Sequence, residues 1–264
     1  MNIESISILG GRGRAGEPEA VRRIDLQMGD VVSIVGPTGS GKTTLINDME
    51  LFADANTPTR RRILINGEPP PAEYHDDPAR NPIAHITQNT MFLSDLPVLD
   101  FLLTHARIRA TGGSKVRELV EETLEFANQL TGEPVGVDGR MTELSGGQAR
   151  ALLIADATII CGTPIVLLDE VENAGIDRKR ALELLRGYRK IFIFVTHDPR
   201  IALLSDYRIV MRGGTMTHLL RTDAGERRLA LEVSRVDDLL SGLRDQLRRG
   251  ECVGAVELGA WSCN

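Results

Sequence analysis

Short apolar runs of strand length recur along the chain: "ESISIL" (4–9), "VVSIVG" (31–36), "RILING" (62–67), "IVLLD" (165–169), "IFIFVTH" (191–197) and "YRIVMRGG" (207–214). Between several of them lie segments whose apolar residues recur every three to four positions, at 42–52, 116–130, 146–160, 178–187 and 198–205. Buried strands alternating with helices predict an α/β domain with a mainly parallel central sheet. The stretch 89–143 breaks the alternation. It has no strong strand and reads as helices interrupted by "TGG" and "TGEP", an insertion into the α/β domain. Beyond about Arg221, Val233, Val236, Leu239, Leu240, Leu243 and Leu247 fall at helical spacing and predict an amphipathic helix packed on the domain, with a partner-binding helix as the alternative.

Two of the predicted strands end in chemistry. "GPTGSGKT" (36–43) fits G-x-x-x-x-G-K-[ST] between the strand at 31–35 and the helix starting near Lys42. Glycines let backbone N–H groups converge on phosphate, and the helix N-terminus adds partial positive charge. Gly36, Pro37, Thr38, Gly39, Ser40, Gly41, Lys42, Thr43 and Thr44 are the candidate nucleotide cradle. Lys42 is expected to reach the β- and γ-phosphates of ATP, and the Thr43 hydroxyl to ligate Mg²⁺. The second strand, "IVLLDE", delivers Asp169 at its carboxyl end, where open α/β sheets bind their ligands. Beside a phosphate-binding loop such an acid completes the Mg²⁺ shell. Glu170, one residue further, is the candidate base for the attacking water.

A third motif, "LSGGQ" (144–148), opens the helix that follows the insertion. With the other two it closely resembles the ATP-binding-cassette (ABC) ATPases over about residues 3–220. That family's five motifs stand here in order: Lys42 in the phosphate loop, Gln88 in "HITQN", Ser145, the Asp169–Glu170 pair, and His197 in "VTHD". The resemblance implies a P-loop NTPase core with a mainly parallel sheet, an N-terminal antiparallel β portion, and a helical insertion over about 89–160 carrying the signature. Residues 1–220 would then be the ATPase domain and 221–264 a C-terminal helical extension. It implies that Ser145, Gly146, Gly147 and Gln148 face the γ-phosphate held by a second cassette, in a homodimer or heterodimer that closes on ATP. It also implies that Gln88 touches Mg²⁺ and water, making Thr43, Gln88 and Asp169 the metal set, and that His197 holds the γ-phosphate. His75, His85, His105 and His218 have no such context and read as surface or core residues.

Composition narrows the partners. With 31 Lys and Arg against 37 Asp and Glu, the net charge is −6, so no specific nucleic acid is expected. No apolar run approaches the roughly 18 residues that span a bilayer. No signal peptide is indicated, and three cysteines without a CxxC suit a reducing cytosol as unpaired thiols. Several positions depart from the family pattern. Val171 follows Glu170, and the loop to Asp177 is one residue longer than usual. No aromatic precedes Phe52 to stack on adenine, which leaves Arg12 or Arg14 and an open base preference. Ala151 and Asp156 stand in "GGQARALLIADAT" where transporter subunits commonly carry basic residues. Two readings follow: the cytosolic ATPase subunit of a transporter with a separate membrane permease, or a soluble ATPase that remodels a client protein.

Overall fold

The computed structural model describes residues 2–77, 79–87, 92, 94–109, 115–169 and 178–251. Its central sheet has the order β5 (Ile83–Ile86), β6 (Ile165–Asp169), β7 (Ile191–Val195), β3 (Val31–Val35), β8 (Tyr207–Arg212), β9 (Thr215–Arg221). All neighbours run parallel except the closing β8–β9 hairpin. A second, antiparallel sheet of β2 (Arg23–Gln27), β1 (Ser5–Leu9) and β4 (Arg62–Ile65) stands beside it.

Strands β6 and β7 are apolar at nearly every position because both faces of the sheet are covered. Alternate side chains sort to opposite sides, as a pleated strand requires. Ile165, Leu167, Ile191 and Ile193 pack with Leu45, Ile46 and Met49 of α1 (Lys42–Glu50), which also meets Ile6, Ile8 and Leu26 of the antiparallel sheet. Val166, Leu168, Phe192 and Phe194 pack on the other side against α3 (Val98–Arg109), α4 (Val116–Leu130) and α5 (Gly146–Thr158). The same core cluster takes in Leu182 and Leu185 of α6 (Arg178–Arg186).

A charged cluster lies inside the fold. Arg61 is fully buried, pairing with Glu19 at 2.7 Å and with Asp48 of α1 at 2.9 Å while donating to the carbonyl of Gly214 at 2.9 Å. It ties the antiparallel sheet, the helix behind the phosphate loop and the β8–β9 turn together.

The tail helix α8 (Ala224–Arg248) packs on α7 (Pro199–Leu204) through its first half, where Ala230 is buried and Val233 and Val236 are half-buried. Leu239, Leu240 and Leu247 are exposed, so the expected packing on the domain holds for only part of the helix. The reason is length: six residues of α7 extend about 9 Å under a 25-residue helix of about 37 Å. Among the described residues no helix is long and apolar enough to cross a membrane.

Candidate functional site

The loop after β3 is built to approach something closely. Gly41 caps α1 in the left-handed region at φ 100°, and a Cβ there would come within 2.9 Å of Gly214 Cα. A Cβ on Gly36 would overlap the Met211 carbonyl and the Ser40 hydroxyl. Both positions therefore require glycine, which L-residues with side chains could not replace without strain. The Gly214 N–H donates to Ser40 O at 2.8 Å and anchors the loop on the β8–β9 turn. Ser40 is buried, yet its Oγ has no hydrogen-bond partner among the described residues. A buried hydroxyl left in that state is costly unless a ligand supplies the partner. Lys42 folds back over the loop and donates to the carbonyls of Gly36 at 2.9 Å and Pro37 at 3.3 Å. Pro37, Thr38, Gly39, Thr43 and Thr44 are exposed along the rim.

Strand order brings the other groups alongside. β7 lies between β3 and β6, and Asp169 pairs in register with Val195, two residues before His197. The phosphate loop, His197 and Asp169 thus leave the carboxyl ends of three adjacent parallel strands, the usual ligand edge of such a sheet. A cavity of about 360 Å³ opens there, lined by Gly36, Pro37, Thr196, His197, Asp198 and Arg208 among others. His197 is exposed toward it, and the turn beneath is fixed by Asp198. Its N–H donates to Thr196 Oγ1 at 2.9 Å, and its carboxylate caps α7 by accepting from Arg200 N at 2.7 Å. The sequence carries a signal for Asp198, an Asp followed by Pro at a helix start, and none for Arg208.

The signature forms a helix start of its own. Ser145 is the N-cap of α5: its Oγ accepts from Gln148 N at 3.3 Å, and its own N–H donates to Gln148 Oε1 at 3.0 Å. This reciprocal capping box fixes the first turn. Gln148 also donates to Pro134 O at 2.9 Å, so its side chain holds the motif's shape. Ser145 and Gly146 are exposed, and Gly147 is half-exposed. First-turn N–H groups have no intrahelical acceptor, so this end is polarised for an anion from outside the chain.

The structure brings together the phosphate loop, Asp169 and His197, and leaves Ser145, Gly146 and Gly147 on a separate exposed helix start. Gln88, Glu170 and the 171–177 loop lie outside the described residues, as do Cys252 and Cys263. Arg14 is exposed, and its Cγ would lie 3.0 Å from a Cβ on Gly214, the residue that contacts Gly41. Arg14 therefore sits beside the loop.

Comparisons with known proteins agree with this geometry. The sequence model of the ABC transporter family matches residues 22–173. An ABC transporter ATP-binding protein of Methanocaldococcus jannaschii is 47% identical over 251 residues, covering 95% of each chain. The sulfate/thiosulfate import ATP-binding protein CysA of Thermosynechococcus vestitus is 32% identical over 209 residues, 75% of this chain and 59% of that protein. Among solved structures, cbiO1 of Clostridium perfringens, part of the ABC transporter complex cbiONQ, superposes with a TM-score of 0.65. It is 23% identical and covers 91% of this chain and 100% of that one.

Proposed function

The chain belongs to the ABC transporter family and is an ABC-type ATPase, and from that premise we propose that it is the cytosolic ATP-hydrolysing subunit of a membrane transporter. The observation that carries the reading is the convergence at one sheet edge of a glycine-built anion cradle, an acid and a histidine. The relatives named above are transporter proteins, and this favours transport over the remodelling of a soluble client.

In this reading ATP seats its phosphates on residues 36–44, with the buried Ser40 hydroxyl and the Lys42 ammonium turning to the phosphate oxygens. Thr43 and Asp169, with Gln88, offer hard oxygen donors of the kind Mg²⁺ prefers, and the ion would neutralise phosphate charge there. Glu170 takes the proton of the attacking water, and His197 orients the γ-phosphate. The exposed Ser145–Gly147 helix start completes the site on a second cassette, so closure of two chains depends on ATP. We assign residues 1–220 to the ATPase domain, with the helical insertion at about 89–160, and 221–264 to a C-terminal extension.

The test uses Glu170→Gln, expected to bind ATP, hold the closed dimer and lose hydrolysis by at least about a hundredfold. Tagged, locked with ATP and Mg²⁺ in its native host, it should co-purify with a polytopic membrane protein. Recovery of a soluble enzyme alone, with nothing from the membrane fraction, would overturn the transporter assignment.

A further inference from the structure

Away from the nucleotide edge, three chemically distinct ligand groups from separate parts of the chain meet in one place. His105 comes from α3, Asp156 from the last turn of α5, and Cys161 from the turn that leads into β6. The Asp156 carboxylate lies 2.8 Å from His105 Nδ1, which fixes the ring and aims Nε2 at Cys161 Sγ, 3.9 Å away. The other Asp156 oxygen is 3.6 Å from Sγ, and the Cys161 N–H donates to the Asp156 carbonyl at 2.9 Å, pinning the thiol above the carboxylate. One ligand atom from each residue can be chosen so that all three lie within 4.8 Å of one another. Among the described residues this is the one such group of histidine, cysteine and acidic side chains.

We propose that His105, Asp156 and Cys161 form a binding site for a thiophilic divalent cation, Zn²⁺ by the character of its ligands. With metal–ligand bonds of about 2.0–2.3 Å, tetrahedral coordination separates neighbouring ligand atoms by roughly 3.3–3.7 Å. Cys161 Sγ lies 3.9 Å from His105 Nε2 and 3.6 Å from Asp156 Oδ2, close to that range, and all three ligand atoms fall within 4.8 Å of one another. A mixed thiolate, imidazole and carboxylate set selects zinc over Mg²⁺ or Ca²⁺, which take oxygen alone. The side chains of His105 and Asp156 keep 25% and 12% of their surface exposed, enough for an ion to enter and for water to fill the fourth position. As the metal–sulfur bond forms, the thiol proton passes to solvent.

The site lies at the C-terminal end of α5, and the signature opens the same helix about 20 Å away. An ion there would staple α3 of the helical insertion to the turn entering β6, and it stands apart from the chemistry of ATP.

The test takes the full chain carrying Cys252→Ser and Cys263→Ser, so that Cys161 is the sole thiol, strips it with chelator and titrates it with Co²⁺ in the absence of nucleotide. We expect one Co²⁺ per chain with a thiolate-to-cobalt charge-transfer band and the intense visible bands of tetrahedral coordination. Zn²⁺ should bleach both in competition. In the same background His105→Ala should weaken Zn²⁺ binding at least tenfold, and Asp156→Asn should weaken it less. Absence of the charge-transfer band in the sole-thiol chain, or its persistence after a further Cys161→Ser, overturns the proposal. The phosphate loop has no thiol, so metal bound there cannot give the band.

Discussion

Arg200 of α7 pairs with Asp237 of α8 at 2.7 Å while its other nitrogen meets Asp198 at 3.2 Å, so the tail helix is joined to the residue that follows His197. The guanidinium is only 11% exposed, which shields the pair from much of the solvent screening that weakens surface ion pairs. Asp237→Ala removes one carboxylate and leaves Asp198 capping α7. The variant should fold, lose about 1 kcal/mol of stability, and show faster amide exchange in the first half of α8. If the tail braces the histidine turn, ATP turnover should fall severalfold with nucleotide affinity unchanged. Unaltered turnover with faster exchange would make the contact purely structural.

The cradle makes a sharper demand. Gly41→Ala must hold a Cβ at φ 100° and within 2.9 Å of Gly214 Cα, so the loop has to shift away from the β8–β9 turn. Nucleotide affinity should fall by at least about tenfold. Lys42→Ala removes the ammonium that reaches the phosphates, together with its contacts to the Gly36 and Pro37 carbonyls, and should weaken ATP binding by about 10- to 100-fold. Fluorescent-nucleotide titration measures both. Normal binding in Lys42→Ala would count against the phosphate loop as the ATP site.

Arg61 faces two carboxylates and a carbonyl with no solvent to replace it. Arg61→Met leaves Glu19 and Asp48 as buried charges without their cation, a loss of about 3–5 kcal/mol. Arg61→Lys keeps the charge but cannot reproduce the forked geometry, and should fall between wild type and Arg61→Met. Denaturant unfolding checks the order. Equal stability of the Met variant and the wild type would mean the buried network holds nothing together.

What the sequence disclosed depended on how local the cause was. The spacing predicts α4 at its observed bounds, Val116–Leu130, because its inward stripe is regular, with Val116, Val120, Thr123 and Ala127 all buried. The strands β6 and β7 stood out because burial on both faces makes them apolar throughout. The strand β5, "IAHI", does not show in the pattern because it is four residues long and His85 interrupts its apolar run. The strand β2, "RIDLQ", alternates polar and apolar residues over only five positions at a sheet edge. The run 207–214 hid the Gly213–Gly214 turn and the strand returning from it. The phosphate loop and signature were legible because each is a contiguous motif. The cluster of His105, Asp156 and Cys161 was not, because the histidine stands 51 residues from one partner and 56 from the other. Only the tertiary fold, in which α4 packs against both α3 and α5, brings them together.

Lys190 gives a pH test with a definite sign. Its Nζ donates to the Thr163 carbonyl at 2.8 Å, and burial pushes its ammonium down from 10.5 to about 8, opposed by the nearby Cys161. Between those values the unfolded chain binds this proton and the folded chain does not, so stability rises with pH across the window. Below about pH 8 both states are charged and the full desolvation penalty is present. Above about 10.5 both are neutral and it is gone. Lys190→Met carries no such group. Compared in a Cys161→Ser background, which removes the thiol that opposes the downward shift and so moves the start of the window below pH 8, the stability of the lysine chain relative to the methionine chain should climb with pH up to about 10.5 and level off above it. Urea unfolding at intervals through that range measures it. A difference that stays flat would show that the ammonium keeps its water in the folded state, and one that falls would show that it gains an anionic partner on folding.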